Sequence, residues 1–174
     1  GELIHGDFRN EAKDEPLPPT HWFWNYEHSG GIFIEHGVHF FDLFDMWFGE
    51  AQVVAAQAST RPNTPGSKSP APNTPGSSTS ASNTATSGQT HGLEAPIVEQ
   101  VQCQTRYPGG QLVNFYHGFH QAERMDRQRM RLTFERGDIF LDEWIPTYLT
   151  VEALVDQACE NRLMELLPHA RLTD

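Results

Sequence analysis

The sequence predicts an α+β domain, built as an open, mainly antiparallel sheet of about six strands with one major helix buried against one face. Three observations carry this. Alternating apolar and polar residues recur along the chain in short runs joined by turns. One long apolar stretch, Ile32 to Phe48, exceeds strand length and reads as a helix stopped by Gly49. No Gly-rich loop follows any strand-like run, so no dinucleotide-binding unit is expected in these residues. Strands grouped in hairpins beside a single helix define the α+β class.

Each element has its own signal. Glu2 to Phe8 reads as a strand, and Pro16 to Thr20 as a polyproline-like entry. The helix is apolar on nearly all sides, through Ile32, Phe33, Ile34, Val38, Phe40, Phe41, Leu43, Phe44, Met46, Trp47 and Phe48, which predicts burial. Gln52 to Ala58 is a second strand. Ile97, Val101, Cys103 and Tyr107 mark a third, and Pro108-Gly109-Gly110 turns it into Leu112 to Phe119. Met130, Leu132 and Phe134 alternate with Arg129, Arg131 and Thr133, and Gly137-Asp138 reads as a tight turn into Ile139 to Leu141. Tyr148 to Val155 is strand-like, and Asn161 to Leu167 a short closing helix.

Residues 59–92 interrupt this order. They are Ser, Thr, Pro, Gly, Asn and Ala with almost no apolar bulk, and Pro-Asn-Thr-Pro-Gly-Ser occurs twice, from Pro62 and from Pro72. Such a segment buries too little surface to offset its ordering entropy and is expected to be a flexible surface insert. Residues 1–174 therefore read as a single domain with one insertion. The chain opens with Gly1 directly into a strand-like run, so it reads as a fragment of something longer.

A net charge of −11 argues against nucleic acid or an anionic membrane as partner. Five of the twelve basic residues, Arg124, Arg127, Arg129, Arg131 and Arg136, crowd into one segment; the alternating arginines form one charged strand face, solvated or at an interface. Two cysteines make no framework, and Cys103 reads as a small buried hydrophobe. No run is long and apolar enough for a membrane span, and a cytoplasmic location is the expectation.

The chemistry concentrates on the helix. Glu35 and His39 are four residues apart and share a face. In apolar surroundings such groups must be paired, neutral or facing a cleft, which makes the pair a candidate site. A satisfied histidine and an ordinary ion pair are the plainer readings. His36-x-x-His39 and His117-x-x-His120 have spacings that transition metals use. The helical pair could converge, whereas residues 117 and 120 of a strand point to opposite faces unless the strand ends or bulges there. No metal site is expected.

The order of motifs resembles one family. Trp22-Phe23-Trp24-Asn25, Ser29-Gly30-Gly31, Glu35-x-x-x-His39-x-x-Asp42 and Trp47-Phe48-Gly49-Glu50 are similar to the C-terminal domain of the Gfo/Idh/MocA oxidoreductases, as are Phe134 to Ile139 and Trp144-Ile145-Pro146. The resemblance implies an NAD- or NADP-dependent enzyme acting on a sugar or polyol hydroxyl. The cofactor would be bound by an N-terminal Rossmann domain, which also supplies a lysine and is absent here, so the fragment alone is expected to be inactive. The resemblance also implies homo-oligomerisation through the free face of the sheet. His39 falls at the family's catalytic histidine, and Glu35 where an aspartate is usual. Histidine suits proton transfer near neutrality, and the carboxylate would orient it or hold a substrate hydroxyl. Trp24, His36, His117 and His120 are the candidate substrate contacts; for Trp22, Trp24 and Tyr26 core packing is the first reading and stacking on a sugar the second. Two other classes remain open: a non-catalytic dimerisation module of the same fold, and a metal-dependent hydrolase or isomerase using the histidine pairs.

Overall fold

The computed structural model describes residues 1–13, 17–18, 20–60, 97–122, 125, 127–143 and 148–171. The insert from residue 61, Trp144-Ile145-Pro146, and Pro16 and Pro19 of the polyproline-like entry lie outside the described residues. Among the described residues seven strands form one sheet: β1 Leu3–Lys13, β2 Gln52–Thr60, β3 Val98–Arg106, β4 Leu112–Gln121, β5 Arg127–Phe134, β6 Gly137–Asp142 and β7 Tyr148–Ala153, in the order β2-β3-β4-β1-β5-β6-β7. All neighbours are antiparallel except β1 and β4, which run parallel. β1 thus occupies the middle of the sheet although it comes first in the chain. It separates the β3–β4 hairpin from the β5–β6–β7 meander.

Period-2 alternation gives the sheet two unlike faces. Phe8, Val113, Phe115, Cys103, Met130 and Leu132 are buried on one side, beneath the long helix. That helix begins with a π turn, Phe33–Gly37, and continues as an α-helix, Val38–Phe48. Phe44 is its anchor, fully buried with its ring 5.1 Å from that of Phe115. The opposite face carries His5, Asp7, Arg9, Glu11, Tyr116, Arg129 and Arg131 and has no layer over it among the described residues.

The helix is less enclosed than its composition predicts. Ile34, Val38, Met46 and Trp47 are exposed, Met46 by 72%. In a two-layer fold only the sheet-facing side of a helix finds a partner, and an all-round apolar helix leaves its outer side bare. Boundaries also differ from expectation, among them the end of β1, which runs on past Phe8 to Lys13. The β5–β6 turn is Glu135-Arg136, and Gly137 opens β6; glycine is needed there because a Cβ would collide with the Glu152 carbonyl and Ala153 of β7. The closing helix spans Gln157–Leu166, starting earlier because the Asp156 side chain accepts from Cys159 N at 2.8 Å and caps it.

Candidate active site

Local sequence builds the helix start step by step. The His21 side chain accepts from Phe23 N at 3.2 Å and caps a short 3-10 turn, Trp22–Trp24. Asn25 then caps a four-residue helix, Tyr26–Ser29, through Glu27 N at 2.9 Å. Gly30 and Gly31 reverse the chain with φ of 74° and 88°, where other residues are strained. The Ser29 hydroxyl accepts from Gly31 N and donates to the Asn25 carbonyl, both at 3.0 Å. The carbonyl of Gly31 receives the N–H groups of Ile34 and Glu35, and the long helix begins.

Glu35 is half-buried and His39 is exposed, and neither makes a hydrogen bond or ion pair with the described residues. Asp42 is exposed on the same outer stretch. Around them stand Ile34, Val38 and Met46, with Tyr26 on the preceding turn 77% exposed. His39 therefore sits amid a bare apolar surface, the kind of patch that marks an interaction site.

His36 turns the other way. Its ring packs edge-on against Phe119, 4.8 Å between centroids, and against Phe23 at 6.1 Å. Trp24 joins the same cluster, half-buried, 4.8 Å from Phe23 and 6.3 Å from Phe119. His117 lies deeper, fully buried among Phe8, Phe33 and Phe40. Burial, with the nearby His36 charge adding to it, pushes the His117 imidazole down to about 3. His120 lies on the far face of the sheet, its ring 6.3 Å from that of Tyr116.

The structure thus brings Trp24, His36 and His117 to one end of the sheet beneath the helix start, and it separates His120 from them. The two His-x-x-His pairs do not converge: His117 and His120 are on opposite faces, and His39 points outward while His36 packs inward. Among the described residues no three His, Cys, Asp or Glu groups cluster as metal ligands.

Asn10 is the residue the sequence reading missed. It lies opposite His117 across the β1–β4 pairing and is 1% exposed. A signal exists: Gly6, Phe8, Asn10 and Ala12 alternate in one phase, which places Asn10 on the buried side once the strand is extended past Phe8.

This geometry defines an open-sheet α+β domain that presents a histidine on the outer side of the helix Val38–Phe48. The sequence profile of the GFO/IDH/MocA C-terminal domain matches residues 2–140, and the chain belongs to that family. No curated protein sequence matches the chain significantly. Among solved structures it is similar to a levoglucosan dehydrogenase in complex with NADH and L-sorbose, at 16% identity and a TM-score of 0.63 over 91% of this chain and 38% of that one. It is also similar to an NAD binding oxidoreductase from Klebsiella pneumoniae, at 16% identity and a TM-score of 0.62 over 90% of this chain and 37% of that one. A third is the WlbA dehydrogenase from Bordetella pertussis in complex with NADH and UDP-GlcNAcA, at 12% identity and 0.57 over 94% and 41%. At these identities the likeness is one of fold, and the chain spans about two fifths of the length of those proteins. None of its described helices is long and apolar enough to cross a membrane.

Proposed function

We propose that this domain is the substrate-binding and oligomerisation half of a cytoplasmic NAD- or NADP-dependent oxidoreductase acting on a sugar or polyol hydroxyl. The observation that carries the reading is His39: a histidine with no partner among the described residues, on a bare apolar helix face, one turn beyond a half-buried carboxylate. A covering domain that carries the cofactor would exclude water from that face and enclose the histidine.

No Gly-rich strand-to-helix turn is present among the described residues. The nicotinamide, held by another domain, would accept the hydride. This chain's own share is proton transfer and positioning. His39 takes the hydroxyl proton, a contribution of about 10²- to 10⁴-fold. Glu35 holds a neighbouring hydroxyl or the imidazole. Trp24 and His36 line the wall behind the substrate, and His117 supports that wall from below. His120 belongs to the other face and takes no part.

The open face is the proposed interface with a second copy. Within a chain of net charge −11, this face is balanced: Arg127 and Arg129 pair with Glu11, Arg131 with Asp138 and Arg9 with Asp7. Two copies can approach there without the repulsion the rest of the surface imposes.

The test is hydride transfer by the full-length protein, followed as NADH or NADPH absorbance across a panel of sugars and polyols. Turnover of at least one supports the reading. Reduction of neither cofactor by any of them contradicts it, in favour of a non-catalytic module of the same fold.

A further inference from the structure

The sheet ends on β2 at one side and on β7 at the other. An edge strand offers a row of unpaired N–H and C=O groups, and folds blunt it with charge, proline, shortness or a bulge. β7 is blunted, being short and carrying Glu152. β2 is longer, holds no charged side chain and no proline, and is exposed along its whole length except at Thr60. Its register against β3 shifts at Val54 and at Thr60, which leaves Ala55–Ser59 as a regular run. No backbone bond joins that run to any described segment other than β3.

The side chains of this run are small or neutral. Ala55, Gln57 and Ser59 stand on the open side of the sheet, paired with Gln104, Gln102 and Gln100. Ala56 and Ala58 stand on the other side, paired with Cys103 and Val101. At the centre, Gln102 Nε2 donates to Gln57 Oε1 at 3.1 Å, while Gln57 Nε2 donates to none of the described residues.

We propose that β2 pairs with the β2 of a second copy, antiparallel about a twofold axis at Gln57, so that two sheets join edge to edge. Ala55 then lies opposite Ser59 of the partner subunit, and Ala56 opposite Ala58 of the partner subunit. The amides balance at the axis. Each Gln57 Nε2 donates to the Oε1 of the other Gln57, and each Oε1, with two lone pairs, keeps its bond from Gln102. Charge selects a second copy as the occupant. The chain carries a net −11, yet β2 has no charge and β3 only Glu99, which is buried, and Arg106 at its end. Two copies meet here without like-charge repulsion, whereas a charged peptide would find no counter-charge. A run that is its own complement under a twofold is also what an isologous contact requires. The contact is small, so it forms at high concentration and is read by trapping rather than by sedimentation. It depends on no reaction and on none of the Arg–carboxylate pairs of the open face, so its failure would leave the proposed activity and that interface standing.

The experiment is disulfide trapping of concentrated full chain carrying Cys159→Ser, which leaves only the buried Cys103 of the native cysteines. Residues directly opposite in an antiparallel pair have Cα atoms about 4.5–5.5 Å apart, within the span of a disulfide. Gln57→Cys should therefore give a covalent dimer under mild oxidation. Gln52→Cys, equally exposed but five residues from the axis, would stand about 30 Å from its mate and should give none. Ala56→Lys with Ala58→Lys, both exposed positions, sets like charges against each other across the axis and should abolish trapping at Gln57→Cys, with circular dichroism unchanged. No dimer with Gln57→Cys, equal dimer with Gln52→Cys, or trapping that survives the two lysines overturns the proposal.

Discussion

A Cβ placed on Gly30 would stand 2.9 Å from the Cβ of Ile34, on a backbone already at a φ of 74°. The Ser29-Gly30-Gly31 motif is therefore required twice over, by conformation and by space, and it sets where the long helix begins. Gly30→Ala should destabilise the domain by about 1–3 kcal/mol, with the loss read by chemical denaturation. An unchanged midpoint would mean that the turn is not held as described.

Stability should also record the burial of His117. Its folded value, about 3, is below the 6.5 of a free histidine. Between those values the unfolded chain binds the extra proton, so this contribution is complete above pH 6.5 and is lost as the pH falls toward 3. The slope approaches about 1.4 kcal/mol per pH unit for one proton. His117→Phe should remove this component and raise stability on the acid side. Parallel pH profiles for variant and wild type would contradict it.

The two cysteines should separate cleanly. Cys103 is buried beneath the helix, its thiol pushed up to about 11, while Cys159 is exposed on the last helix. One equivalent of maleimide should react under native conditions, at Cys159, and the second only on unfolding. Fast native modification of Cys103 would mean that the core opens there.

The open face predicts an oligomer sensitive to charge. Arg9→Glu combined with Arg129→Glu would set two further carboxylates, opposite each other on β1 and β5, beside Asp7 and Glu11. Sedimentation should show the wild type associated and the variant monomeric, with folding unchanged by circular dichroism. A wild type that sediments as a monomer would rule out this interface.

Much of the fold is legible in the sequence because its information is local. Alternation through Met130, Leu132 and Phe134 marks β5 and its buried side, and Pro108-Gly109-Gly110 marks the hairpin, where Gly110 indeed takes a φ of 88°. The insertion of β1 between β4 and β5 is a nonlocal choice that no short window records. The π turn leaves no trace in a 3.6-residue pattern. Burial failed where it depends on layers: the same apolar spacing describes Phe44, which is enclosed, and Met46, which is bare. Of the candidate site, the grouping of Trp24, His36 and His117 was within reach of pattern reading. Asn10 was hidden because its strand runs on past Phe8.

The proposed site uses His39 as its proton-transfer group and is completed by a second domain. The most direct measurement is the turnover of the full-length protein carrying His39→Ala, on a sugar or polyol that the wild type oxidises, with cofactor binding measured alongside. The expected result is a loss of about 10²- to 10⁴-fold in turnover with NAD(P)H affinity retained. Turnover equal to that of the wild type would contradict it.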